Sequence, residues 1–367
     1  MKVRRIVYYI SDNGWGHLTR SLRVIEELLD RGFKITVVNR FKDAFHYLKE
    51  RFRDLLTIES TEFQGDPIFP REYPFKEEDV EKEVIKVINL KDKWIESETS
   101  RLKKLKPCLI ISDITPWAFN VAEKLGIPSI AITNINWWDE YSFILQERDL
   151  RELQEFFIAY SKATLALILP FESENRPFRN IVRIPIIARK IDWDRVKDLR
   201  KTLLTTYRPS LIGAVTLGGH YLKSNRLVEM IKSIMSEISK KCRNILWIGE
   251  SRFRIESTNF LEVNDFTNFH EVVASSDFII GKVGYGLLSE MVMADISGLL
   301  FYRKRVLEDV INAETMEEAK WAITIAFEDR IEKVDLAKLF NLEKLPKSKR
   351  LLADGTREVI DWVERYV

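Results

Sequence analysis

Twice along this chain, short β-branched runs alternate with longer segments of helical period, and no other feature constrains the fold as strongly. Residues 5–10 (RIVYYI) read as a buried strand. A glycine turn follows, then an amphipathic helix through Leu22, Ile25, Leu28 and Leu29, ended by Arg31-Gly32. Residues 34–38 form the next strand. Residues 108–113, a helix near 115–125 and residues 127–133 repeat the unit, and 165–170 close it. Between them, 77–106 form a long charged helix with one apolar stripe through Val80, Val84, Val87, Ile88, Trp94, Ile95, Leu102 and Leu105. The proline-bearing stretch 171–185 reads as a linker. A second alternation then places strands at 211–216, 245–248, 259–263, 277–281 and 298–301, and an apolar-periodic helix closes the chain at 355–366. Strand, helix, strand with short connections builds a parallel sheet covered on both faces. The expected fold class is therefore α/β, with two Rossmann-like doubly wound domains (1–185 and 186–354) facing a cleft. Such folds bind their ligands in that cleft.

A length of 367 residues agrees with two domains of roughly 150 residues each. The composition, 46% hydrophobic and 31% charged, excludes disorder as the main state. A net charge of +2, from 58 basic and 56 acidic residues, argues against a dedicated nucleic-acid binder. Cys108 and Cys242 lie far apart and supply no disulfide framework, so a reducing cytoplasm is the expected setting. The first residues are too poor in apolar side chains for a secretory signal, and no run of about 18 apolar residues exists to span a membrane. Gln64, Gln146 and Gln154 are the only glutamines, while Lys, Arg, Glu and Ile are abundant, a balance that fits a thermophile.

Two glycine clusters could carry chemistry. Gly14-Trp15-Gly16-His17-Leu18-Thr19-Arg20 follows the first strand and opens the first helix. Glycines there let the backbone bend and admit a ligand without a Cβ in the way, and a helix start favours an anion. His17 would stand at the helix entrance; the alternative is a plain strand-to-helix turn. Lys282-Val283-Gly284-Tyr285-Gly286-Leu287-Leu288-Ser289-Glu290 repeats the arrangement in the second half. Its glycines and Lys282 would cradle a diphosphate, and Glu290, one turn further on, would accept the hydroxyl protons of a ribose. Gly218-Gly219-His220 follows strand 211–216 with the same logic. Asp192-Trp193-Asp194 mimics a metal-binding Asp-x-Asp but reads as surface charge, and the histidines lack ligand spacing, so no metal site is expected. The aromatic loop 63–75 is either pinned to the first domain or forms an acceptor or membrane-facing lip, and Trp137-Trp138 either pack or stack on a sugar.

Gly14-x-Gly16-His17-x-Thr19-Arg20 together with Gly284-x-Gly286-x-x-Ser289-Glu290 resembles the GT-B nucleotide-sugar glycosyltransferases. Residues 133–139, 184–189 and 265–280 extend the likeness over nearly the whole chain. It is nearest to the glycosyltransferase-like proteins related to the N-terminal half of plant-type arabinokinases. A more distant likeness is to the N-acetylglucosaminyltransferase of peptidoglycan synthesis. The resemblance implies a donor nucleotide sugar, of UDP type, held by the second domain, and an acceptor, lipid-linked or soluble, held by the first. It implies Glu290 on the ribose, the backbone around Phe266 at the base, and Lys282, Gly284, Tyr285 and Gly286 near the diphosphate. Gly16 and His17 would face the sugar. It also implies that helix 355–366 packs back on the first domain, and it calls for no resident cofactor. Two positions depart from the pattern: Leu287 replaces a threonine, and 301–305 (FYRKR) lacks the His-Gln or Asp-Gln pair that contacts the donor sugar.

Inverting transfer needs a base for the acceptor hydroxyl and positive charge for the leaving diphosphate. His17 is the candidate base, with Asp113 at the end of strand 108–113 either orienting it or capping a helix. Arg303 and Arg305 are either phosphate ligands or solvated charges. A nucleotide-sugar 2-epimerase is one rival, although its usual Gly-Thr-Arg-Pro-Glu start is absent. A binding module without turnover is the other. A sugar kinase is disfavoured, because the chain reaches Val367 without a kinase motif.

Overall fold

The computed structural model describes residues 4–40, 42–59, 66–69, 73–146, 151–218, 224–242, 244–263, 268–329 and 354–367. The first sheet contains β1 (Arg5–Ile10), β2 (Lys34–Val38), β3 (Leu56–Glu59), β4 (Leu109–Asp113), β5 (Ser129–Thr133), β6 (Leu165–Ile168) and β7 (Ile181–Arg183). It is parallel throughout, in the order β3-β2-β1-β4-β5-β6-β7. The second contains β8 (Leu211–Thr216), β9 (Ile245–Gly249), β10 (Asn259–Glu262), β11 (Phe278–Lys282), β12 (Gly298–Tyr302) and β13 (Ala322–Ala326). It too is parallel, in the order β10-β9-β8-β11-β12-β13. The α/β class with two doubly wound sheets is thus what the alternation dictates.

The helices of the first half are α1 (Trp15–Asp30), α2 (Lys42–Phe52), α3 (Glu77–Leu105), α4 (Trp117–Leu125), α5 (Trp137–Ile144) and α6 (Gln154–Tyr160). Those after β7 are α7 (Trp193–Tyr207), α8 (Asn225–Lys241), α9 (Phe269–Ser275), α10 (Tyr285–Ala294), α11 (Leu307–Glu318) and α12 (Thr356–Tyr366). The α3 stripe is buried from Val80 to Leu102, with Leu105 half-buried at its end, and the exposed face carries charge. Val359, Ile360 and Val363 of α12 share one apolar core with Leu18, Leu22 and Ile25 of α1, so the closing helix lies on the first half. No helix among the described residues is long and apolar enough to cross a membrane.

Each sheet reverses its winding once, between β1 and β4 and between β8 and β11, and the loops there diverge to leave room for a ligand. The register pairs Ile10 with Asp113, so the turn after β1 and the end of β4 share one edge. One linker expectation is corrected: 171–185 contains β7, which pairs with β6 through Leu167 and Val182. β7 is an edge strand whose side chains stay half-exposed, so it lacks the continuous apolar run that marks the central strands.

Candidate active site

β1 ends in a turn through Gly14, whose φ of +132° favours glycine, and α1 begins at Trp15. His17 therefore sits in the first turn of α1 and Arg20 one turn along the same face. His17 Nδ1 lies 2.8 Å from Asp113 Oδ1. Arg20 grips the same carboxylate as a fork, Nη2 to Oδ1 at 2.5 Å and Nε to Oδ2 at 2.7 Å, and Ser21 donates to Oδ2 at 3.2 Å. Arg20 Nη1 donates to Asn134 Oδ1 at 2.8 Å, just beyond β5. Burial alone would raise the Asp113 carboxyl, but the charges of Arg20 and then His17 prevail and hold it down at about 2. His17 and Asp113, picked separately from the sequence, are thus in direct contact. The sequence places Arg20 in the first glycine motif and Asn134 within 133–139 without a role for either, although Arg20's i+3 spacing from His17 was a usable signal.

The second half meets this cluster through α10. Gly284 precedes α10 in extended backbone, and an added Cβ there would meet nothing within 4 Å. Gly286 differs: a Cβ would lie 3.0 Å from Thr19 Oγ1 and 3.2 Å from Gly16 Cα. Gly16 and Gly286 therefore bring two helix starts together. The open room in the two clusters lies instead at Gly14 and Gly284, where a Cβ would meet nothing within 4 Å. Tyr285 is buried as a bridge, its ring 5.0 Å from the Arg20 guanidinium and its hydroxyl accepting from Ile187 N–H at 3.3 Å. Ser289 spends its hydroxyl on the Gly286 carbonyl at 2.9 Å, inside its own helix. Leu287 packs over Gly281, where a Cβ would come within 2.6 Å of its Cδ2, so the departure at 287 fills a hole in β11.

Charges on this side are paired. Lys282 Nζ lies 3.0 Å from Asp309 Oδ1, and Arg303 Nε lies 2.6 Å from Asp309 Oδ2. Burial opposes ionisation of Asp309, yet Arg303 and then Lys282 hold its carboxyl low. Burial, then Arg303, pulls the Lys282 ammonium down. Arg303 is buried, against the reading of it as a solvated charge. Arg305 reaches across to Glu77 and lies over Phe75. Glu290 is buried and bound by Arg189, Nε to Oε1 at 2.8 Å; burial raises its carboxyl and the Arg189 charge opposes that. Beside Arg189 opens a cavity of about 540 Å³ lined by Leu22 and Arg23 of α1 and by Arg189, Asn268 and His270. His270 Nδ1 is buried without a hydrogen-bond partner, and burial, then Arg189, pulls its imidazole down to about 3. Gly218 follows β8 with φ +63° and open space at its Cβ. Gly219, His220 and Phe266 lie outside the described residues.

Four other features settle as packing or capping. Trp137 stacks on Tyr141, and Trp138 meets Phe157 edge-on. Asp192 caps α7 by accepting from the N–H groups of Asp194 and Arg195. The aromatic loop is pinned to both halves: Asn13 holds the Pro67 carbonyl and the Phe69 N–H at 2.8 Å each, and Tyr73 meets Phe327 of the second half. Glu140 of α5 also crosses over, accepting from Leu307 N–H at 3.1 Å and Glu308 N–H at 3.0 Å at the start of α11.

Two doubly wound sheets with a polar cluster between their facing loops define the GT-B class. Residues 4–172, a little under half of the chain, match the family model Glycosyl transferase family 1. The L-arabinokinase of Arabidopsis thaliana is 25% identical over 292 residues, which cover 77% of this chain and 27% of that enzyme. The chain thus spans about a quarter of that relative's length. Among solved structures, the glycotransferase of kitacinnamycin superposes with a TM-score of 0.70 at 16% identity, covering 100% of both chains. LpCGTa, solved with UDP, gives 0.65 at 16% identity over 99% of both. Arabidopsis thaliana UGT89C1, solved with UDP-L-rhamnose, gives 0.65 at 15% identity over 100% of both.

Proposed function

We propose that the protein transfers a sugar from a nucleotide-diphosphate donor, of UDP type, to an acceptor hydroxyl, with inversion and without a metal. The observation that carries this reading is the buried contact of His17 with Asp113 beside the start of α10. In the proposed step the acceptor hydroxyl gives its proton to His17 Nε2 while its oxygen attacks the anomeric carbon from the face opposite the diphosphate. The bond from that carbon to the phosphate oxygen breaks, and the diphosphate leaves with the electron pair. Asp113 accepts from Nδ1–H and balances the imidazolium that forms. The start of α10, whose first-turn N–H groups lack intrahelical partners, would offer its positive end to the departing charge, and Lys282, paired with Asp309 at the end of β11, would add a cation. These cations and dipoles supply the charge stabilisation that a metal gives other transferases. The cavity lined by Arg189, whose guanidinium binds Glu290, supports a nucleoside at that end.

A binding module without turnover is the second reading, favoured by the saturation of Asp113 by Arg20 and of Glu290 by Arg189. A thermal-shift screen with UDP, GDP, TDP and their sugars tests the donor site. At least one is expected to raise Tm, and Glu290→Ala to weaken its binding about 10-fold or more, the scale of one charge-assisted hydrogen bond. No shift with any nucleotide, or unchanged affinity in the variant, would overturn the assignment.

A further inference from the structure

The segment 134–140, which joins β5 to α5, faces both halves of the chain. Asn134 accepts from Arg20 Nη1 at 2.8 Å and donates through Nδ2 to Glu308 Oε1 at 3.3 Å. Glu140, at the other end, accepts from the N–H groups of Leu307 and Glu308 at 3.1 and 3.0 Å. The segment itself is held firmly. Asn136 caps α5 by accepting from Asp139 N–H at 3.0 Å, and Asp139 Oδ2 accepts from Asn136 Nδ2 at 2.8 Å and from Asn175 N–H at 2.9 Å.

α11, in contrast, has no cap of its own. Val306 stands at its N-cap position and makes no side-chain bond, whereas Asn136, Asp192 and Ser224 cap α5, α7 and α8 locally. The missing acceptor comes from the other half of the chain, from a carboxylate only 2% exposed. Both Glu140 oxygens accept, as those of an ionised carboxylate do. Burial, opposed first by the Glu308 N–H, raises that carboxyl to about 8. The same first turn of α11 carries Asp309, which holds Lys282 at 3.0 Å. One firm segment thus references the α11 start to Arg20, and through Arg20 to Asp113 and His17. Without Glu140, two N–H groups at the seam would lack an acceptor, and water would reach them only if α11 drew away from α5.

We propose that Glu140 is a positioning residue: by capping α11 from the opposite half, it fixes the separation of the His17–Asp113 pair from Lys282. This rests on the reading of His17 as base and Lys282 as a cation for the leaving group, but the separation can be measured without turnover. Cys108 and Cys242, the two cysteines of the chain, are partly exposed and lie one in each half. Nitroxide labels on them report the distance between the halves by double electron–electron resonance in the full-length protein, at about pH 9 so that Glu140 is ionised. The wild type is expected to give one narrow distance distribution. Glu140→Gln keeps the volume and one acceptor, and Glu140→Ala loses both oxygens. Each should broaden the distribution or lengthen its mean, the alanine more. Donor turnover should fall about 10- to 100-fold in kcat, the scale of a misplacement of about 1 Å, with KM for the nucleotide sugar changed less than about twofold. Leu307→Pro deletes one of the two N–H groups, and proline suits a first helical position that follows the extended Val306. It should act the same way by less, and it serves if the Glu140 variants do not fold. The wild-type distribution in all three variants, or a broadened one with wild-type kcat, would overturn the proposal. Broadening in the variants of a wild type that turns over no donor would uphold the tie and remove the transfer reading instead.

Discussion

Single residues in this protein carry two kinds of burial that respond oppositely to pH. Asp113 is buried among cations and stays ionised down to about pH 2. Asp66 is fully buried with one oxygen on the Thr115 hydroxyl at 3.0 Å and the other without a partner. Burial, then the charge of Asp12, pushes the Asp66 carboxyl from 3.8 up to about 8. The folded state thus keeps the Asp66 proton where the unfolded chain has released it. Its contribution to stability is full below about pH 4 and is lost as pH rises toward about 8. Asp66→Asn keeps an acceptor for Thr115 and removes the titration. It is expected to flatten the fall in Tm between about pH 5 and about pH 8; an unchanged slope in differential scanning fluorimetry would contradict that.

At the scale of elements, α1 and α10 meet start to start, and two glycines two positions apart, Gly284 and Gly286, divide the work. Gly286→Ala forces a Cβ to 3.0 Å from Thr19 Oγ1. The overpacking, about 1–3 kcal/mol, exceeds the roughly 1 kcal/mol of helix propensity gained. Gly284→Ala meets open space. The expected outcome is a lower urea midpoint for Gly286→Ala with little change for Gly284→Ala, and weaker UDP binding for Gly284→Ala. Equal midpoints, or full UDP affinity at Gly284→Ala, would contradict it. The central elements were legible because strands such as RIVYYI and FIIGK are buried on both faces and form short apolar runs between glycine turns. β3, β7 and β13 were not: these edge strands are short and only partly buried, so they carry no continuous apolar run to mark them. His17, Asp113 and Glu290 were legible by their place after strands. The long-range pairings were harder: Arg189 reaches Glu290 across 101 residues inside the second half, Glu140 reaches Leu307 across 167 from the first half to the second, and no local pattern encodes either.

At the scale of the whole molecule, the two sheets are joined by a polar seam rather than by apolar packing alone. Arg20 with Tyr285, Glu140 with the start of α11, and Asn134 Nδ2 with Glu308 Oε1 at 3.3 Å each tie a residue of the first half to the second. Every one of these ties lies near the loops that follow strand ends, where the ligand of a doubly wound fold belongs. The near-neutral net charge of +2 fits this arrangement, because an anionic donor would be held by local cations and helix starts instead of a global field. The most direct test is the nucleoside diphosphate released from a panel of UDP-, GDP- and TDP-sugars, with water or simple alcohols as acceptor, by wild type and His17→Ala. Release is expected from at least one donor, with a loss of about 10²–10⁴-fold in His17→Ala and nucleotide affinity in that variant within about twofold of wild type, since the proposed role of His17 is toward the acceptor. Release by His17→Ala at the wild-type rate would contradict it.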